Sequence, residues 1–319
     1  MTKLLSLSGS FLIKVILAAL ILSSCATGPP TAEQMRAQEQ FNLMQMDLWG
    51  SAGMVKKEIQ VDSDRIVYME GGQGETVLLL HGFASNKDYW PLFAKYLTGD
   101  YRVVIPDLPG FGESTKRFEE NYNIDNQVKR FDRFVTVLRL ERFHLAGNSM
   151  GGTIAAVYVA RNPQKISTLA LFDPWRLKTA KVAKSEMKVI DCLGMRSVGD
   201  QEKCDRYFFV KPPPFTDDFR KAFVAQMMAS KGYNEKIMWQ LFREDLALEP
   251  FLSMIQAPVC IIWGDQDMIC DVSGASVLEK GLKNHQTVIL KDTGHLPMIE
   301  RPAETAEAYI NFLKNQRGM

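Results

Sequence analysis

The chain has 319 residues, 38 Lys+Arg against 37 Asp+Glu, and 46% hydrophobic residues. That composition excludes a generally disordered chain, and the net charge of +1 argues against nucleic acid as partner, since phosphate binding needs a basic excess. Five cysteines are too few for a disulfide scaffold, so the expectation is a globular domain with a segment in front.

Lys3 and Lys14 are the only charges before Glu33, and an unbroken apolar run extends from Val15 to Leu22. At ~1.5 Å rise per residue this run is too short for ~30 Å of hydrocarbon, but it matches the core of a secretory signal. It ends in Leu22-Ser23-Ser24-Cys25, which resembles the lipobox of bacterial lipoproteins. The resemblance implies removal of residues 1–24, acylation of Cys25, membrane anchoring through those acyl chains and, with Ala26 next, sorting to the outer membrane. An ordinary signal with a chance cysteine, or an uncleaved anchor, is the alternative. Residues 25–50 then hold the spacer Gly28-Pro29-Pro30 and a helix opened by the capping box Thr31/Gln34 and running to about Leu48. Ala37, Phe41, Met44 and Leu48 share one face of it, suited to packing on the domain or, alternatively, to lying along a lipid interface.

Strands follow at Glu58–Val61 and Arg65–Glu70, around an Asp-Ser-Asp turn, and at Thr76–Leu80, an apolar run suited to burial on both faces. A helix is expected near Lys87–Leu97, a strand at Arg102–Pro106, a helix around Asn126–Leu138 and a strand at Phe143–Ala146. Then come a helix from Ser149 and the strand Thr168–Phe172. The pattern resumes with strand Val259–Trp263, helix Val272–Leu282, strand Thr287–Leu290 and helix Ala303–Lys314. Such alternation predicts an α/β fold with a doubly wound, mainly parallel sheet. Residues 51–174 and 252–319 form its two parts. Between them, 175–251 is expected to be an inserted helical lid over the carboxyl edge of the sheet, where ligands bind in such folds, with Lys211-Pro212-Pro213-Pro214-Phe215 as a rigid bend.

Gly147-Asn148-Ser149-Met150-Gly151 is G-x-S-x-G between a strand and a helix, the setting of a nucleophile elbow. A serine hydroxyl needs a base to take its proton. Of four histidines, His144 lies inside a strand, His285 in a polar turn, and His81 at the end of Thr76–Leu80. His295, on the loop after the last strand, is in position to be the base. The acid that orients it comes from Trp263-Gly264-Asp265-Gln266-Asp267, where chemistry alone leaves both Asp265 and Asp267 open.

The order Ser149, Asp267, His295 resembles the α/β-hydrolases. The likeness covers about 56–174 and 252–316 and includes His81-Gly82-Phe83, Asp107-Leu108-Pro109-Gly110-Phe111-Gly112, Gly264-x-x-Asp267, and Gly294-His295 with Glu300-Arg301-Pro302. It implies Asp267 as the acid, and the backbone N–H groups of Phe83 and Met150 as the oxyanion hole, with His81 shaping that loop. Ser149 in place of an elbow aspartate implies acyl transfer to water rather than dehalogenation or epoxide opening. No metal-ligand spacing and no phosphate-binding loop occurs, so no metal and no cofactor is expected.

Cys192 and Cys204 lie in the insertion and form either a disulfide or two free thiols. Cys260 reads as a small core residue, and Cys270 lies three residues past Asp267. Lys178, Lys181, Lys184 and Lys188 are expected on one side of a helix, as a solvated face or a site of attraction to anionic lipid. The chain is similar to bacterial lipases with a lipobox and to monoacylglycerol lipases. This implies a membrane-anchored lipase or esterase acting on acylglycerols, here assumed monomeric. The Gly147–Gly151 string is also similar to hydrolases that cleave carbon–carbon bonds in ring-cleavage products, usually cytoplasmic enzymes. A binding module on an inactive scaffold is the remaining reading.

Overall fold

The computed structural model describes residues 32–185 and 188–317. The expected leader, Cys25 and Thr31 lie outside them. Eight strands form one sheet: β1 Met54–Val61, β2 Asp64–Gly71, β3 Thr76–Leu80, β4 Arg102–Pro106, β5 Phe143–Asn148, β6 Ile166–Phe172, β7 Val259–Gly264 and β8 His285–Leu290. Their order is β1-β2-β4-β3-β5-β6-β7-β8. β1 and β2 form an antiparallel hairpin joined at Val61↔Asp64, β2 runs antiparallel to β4, and every later pairing is parallel. The central strands are apolar and buried along their lengths, because helices cover both faces.

The helices are α1 Ala32–Ser51, α2 Pro91–Ala94, α3 Ile124–Val137, α4 Met150–Arg161, α5 Lys188–Leu193, α6 Val198–Phe208, α7 Asp217–Arg243, α8 Glu249–Leu252, α9 Ser273–Gly281, α10 Pro297–Glu300 and α11 Pro302–Arg317. One face of the sheet packs on α3 and α4 through Phe131, Phe134, Ile154 and Tyr158. The other packs on α2 and α11 through Trp90, Phe93, Tyr309 and Phe312. Proline, which cannot continue a hydrogen-bonded turn, limits the expected 87–97 helix to a 3₁₀ turn, Lys87–Tyr89, and the short α2. α1 packs on the domain: Ala37 and Phe41 are buried, and the Phe41 ring lies 5.3 Å from that of Phe219 on α7. Its far end is held by Trp49 Nε1 and Gln45 Nε2, which donate to the Asp88 carboxylate at 2.9 and 2.8 Å.

The segment between β6 and β7 carries α5 to α8. Cys192 and Cys204 are joined as a disulfide, with Cα atoms 5.7 Å apart. Together with Leu193, Met195, Val224, Met227 and Met238 they make a separate apolar cluster. The expected lysine stripe does not form. Lys178, Lys181 and Lys184 lie in turns and irregular chain, and only Lys188 is helical. Here the backbone is bonded to more distant side chains instead: Thr179 N–H donates to Glu249 of α8 and Lys181 N–H to Ser273 Oγ of α9.

Candidate active site

β5 ends at Asn148 and α4 begins at Met150, leaving Ser149 alone at the bend with φ 54° and ψ −119°. Side-chain-bearing residues enter positive φ only where their surroundings compel it. The compulsion is steric. A Cβ on Gly147 would sit 2.4 Å from the carbonyl of Gly151, and one on Gly151 would sit 2.5 Å from the carbonyl oxygens of Leu80 and His81. Ser149 N–H donates to Phe172 O at 3.0 Å, and Trp175 N–H donates to Ser149 O at 3.3 Å, so the end of β6 straps the elbow from the side. Ser149 itself is half-buried at the N-terminus of α4, whose exposed amides and dipole favour negative charge.

His295 is buried, and its Nδ1 lies 2.7 Å from Asp267 Oδ2. Asp267 Oδ1 accepts the N–H groups of Ile269 at 2.7 Å and Cys270 at 3.0 Å. With both N–H groups on Oδ1, Oδ2 is the acceptor for His295, which makes Nδ1 the donating nitrogen and leaves Nε2 as acceptor. The histidine loop is bonded on both sides: His295 N–H donates to Phe208 O at 2.8 Å, and Asn148 Nδ2 donates to His295 O at 3.1 Å. The residue before Ser149 thereby ties the elbow to the histidine. Asp265 is engaged elsewhere, 3.4 Å from Lys291 Nζ and accepting Thr293 N–H at 3.5 Å.

The other histidines are occupied. His81 is fully buried, with Nδ1 2.8 Å from Gly82 O and Nε2 accepting Leu108 N–H at 3.0 Å. Burial pushes its pKa down, and the nearby Asp107 carboxylate offsets this only in part. His144 faces Thr168 Oγ1 at 2.8 Å. His285, expected in a turn, instead opens β8, because the pairing Val259↔His285 extends the ladder to it.

The loop after β3 presses on the elbow: a Cβ at Gly82 would lie 3.3 Å from both Ser149 Cβ and Asn148 Oδ1. Phe83, next along, is half-buried and packs edge-on to Phe111 at 6.0 Å and on the apolar cluster of the insertion. The Asp107–Gly112 motif forms a brace behind this loop. Asp107 accepts N–H groups from Lys87 and Glu113, both at 2.7 Å, and its carboxylate would meet a Cβ at Gly112 (φ 52°) at 2.2 Å. Lys87 is almost fully buried. Burial lowers its pKa, but Asp107, Asp88 and Glu113 outweigh that and hold the amine above its ordinary range.

Neither Asp173 nor the tether through Asn148 is marked in the sequence: Asp173 lies outside every motif, and Asn148 fills an unspecified position of G-x-S-x-G. Nor does the sequence mark Cys270. Cys270 has ligand-type atoms within 4.8 Å of those of Asp267 and His295, a grouping formed by two loops and invisible as spacing. Cys260 is enclosed in β7, where burial pushes its thiol up to about 12.

The α/β-hydrolase fold family matches residues 75–302. The chain is 31% identical over 265 residues to Lipase 1 of Psychrobacter immobilis, covering 81% of this chain and 83% of that one. It is 31% identical over 259 residues to monoacylglycerol lipase ABHD6 of Homo sapiens, covering 76% of each. The crystal structure of a membrane phospholipase A superposes with a TM-score of 0.86 at 35% identity, covering 98% of both chains. The chain therefore belongs to the α/β-hydrolase fold family, and within it to the carboxylic ester hydrolases.

Proposed function

We propose that this protein hydrolyses the acyl esters of lipids, with acylglycerols as the leading substrate class, through an acyl-enzyme on Ser149. His295 Nε2 takes the Ser149 proton as the hydroxyl attacks the ester carbonyl, and later returns it to the leaving alcohol. Asp267 holds the imidazole in the required tautomer and stabilises its cation. The N–H groups of Phe83 and Met150 receive the oxyanion, each such donor contributing about 10²–10³ in turnover. Water, activated by the same histidine, releases the acid.

The observation that carries this reading is a serine held at positive φ, whose preceding Asn148 is bonded to the backbone of His295, together with a buried carboxylate bonded to Nδ1 of that histidine. The lipid preference rests on the relatives' own names, two lipases and a membrane phospholipase A, and on the apolar cluster of the insertion abutting Phe83 and Phe208. In this reading the insertion serves as a lid and acyl-chain wall. Among the described residues no helix is long and apolar enough to cross a membrane. Attachment is assigned to acyl chains on Cys25, at a bacterial outer membrane.

A p-nitrophenyl ester series from acetate to palmitate tests the function. Turnover that rises with chain length and disappears in Ser149→Ala supports it. Failure on every ester, with cleavage of a vinylogous diketone, would instead identify a carbon–carbon bond hydrolase. Palmitate labelling of the protein in cells, lost in Cys25→Ser, tests the anchor.

A further inference from the structure

Asp173 follows β6 directly and is fully buried, with its backbone at φ 46°, a conformation a non-glycine residue enters at a cost. Phe172 and Trp175, on either side of it in the chain, are both bonded to the backbone of Ser149. Its own N–H donates to Ile262 O at 3.1 Å, and its Oδ1 accepts Gly264 N–H at 2.9 Å, three residues before Asp267. Oδ2 is buried with no hydrogen-bond donor in reach, and the Asp173 carboxyl interacts with that of Asp267. Two carboxyl groups are thus enclosed side by side where one shared proton costs far less than two negative charges.

The hydrogen bonds identify which group is charged. Asp267 accepts three N–H groups, from His295, Ile269 and Cys270, whereas Asp173 accepts one, from Gly264. More donors favour the ionised form. We propose that Asp173 is a positioning residue for the acid of this site: a neutral carboxylic acid that donates its O–H to the Asp267 carboxylate, holding it towards His295 and limiting the site to a single negative charge. The proposal rests on the serine-hydrolase reading for its kinetic consequence, but not for the state of the carboxyl group. Burial, and then the charge of Asp267, push Asp173 well above the ordinary carboxylate range, and Glu300 adds to this. The ionisable groups facing the pair are therefore His295, Cys270 and Glu300.

The test compares Asp173→Asn and Asp173→Ala with the full-length protein. An asparagine keeps an acceptor for Gly264 N–H and a donor for Asp267, but it cannot ionise. Infrared difference spectra, wild type minus Asp173→Asn at neutral pH, should show the carbonyl stretch of a protonated carboxylic acid. Asp173→Asn should keep kcat/KM for a short-chain ester within about threefold, whereas Asp173→Ala, which leaves buried partners unpaired, should lose about tenfold or more. Any fall in wild-type kcat/KM at alkaline pH that comes from ionising the pair should be absent in Asp173→Asn. Absence of the protonated-acid band, or an equal loss in both variants, overturns the proposal. If no ester is turned over, the infrared band still decides the state of Asp173. If Asp173→Ala does not fold, the asparagine variant carries the test.

Discussion

The elbow around Ser149 and the helical insertion between β6 and β7 adjoin each other, yet they are held by opposite means. At the elbow, backbone meets backbone: Gly147 and Gly151 leave no space for a methyl group, and α4 behind them is buried along almost its whole length. The insertion is held by side chains: a disulfide, the Asp205–Arg220 ion pair at 2.9 Å, and stacked Phe215 and Phe219 rings 4.5 Å apart. It also leaves Val182, Met228 and Trp239 largely exposed. Under the proposed function, chemistry falls to the part that cannot be altered without changing backbone, and substrate fit to the part whose side chains can vary.

Substitutions should separate the two regions. The largest effect is expected at the acid: Asp267→Asn leaves the shape but favours the wrong histidine tautomer, so kcat should drop by about 10⁴. Asp265→Asn, in contact with Lys291 and Thr293, should leave ester turnover nearly unchanged. A comparable loss in the two variants would contradict the assignment. Gly151→Ala comes next. Its Cβ would be forced against carbonyl oxygens at the end of β3, and a displacement near 1 Å at the reacting serine costs about 10²-fold. Retention of full activity would show that the elbow tolerates movement. The smallest catalytic effect belongs to the insertion. Replacing Cys192 and Cys204 by serine should lower unfolding stability by ~2–4 kcal/mol while short-chain ester turnover survives. Loss of short-chain turnover in a folded variant would mean that the insertion does more than shape the substrate site.

How far the amino-acid pattern revealed the molecule follows the same division. The buried strands β3 to β7 are mostly apolar, and their alternation with helices leads to the sheet. The elbow is legible because its glycines answer a local steric need. Asp265 and Asp267 could not be separated by chemistry, since their difference lies in bonds to a loop 28 residues away. The lysine stripe failed because a spacing of three or four is a helical signal only where the backbone bonds to itself; there it bonds to Glu249 and Ser273 instead. The 87–97 helix is interrupted at Pro91, which cannot donate to the preceding turn. Asp173 left no trace, because its significance depends on β6 and β7 being neighbours.

Labelling with a serine-directed fluorophosphonate, read by mass spectrometry of the modified peptide, decides whether Ser149 is the nucleophile. A single adduct on Ser149 is expected, formed rapidly by the wild type and slowly by His295→Ala. An adduct on another residue, or ester turnover that continues with Ser149 unlabelled, would contradict that role.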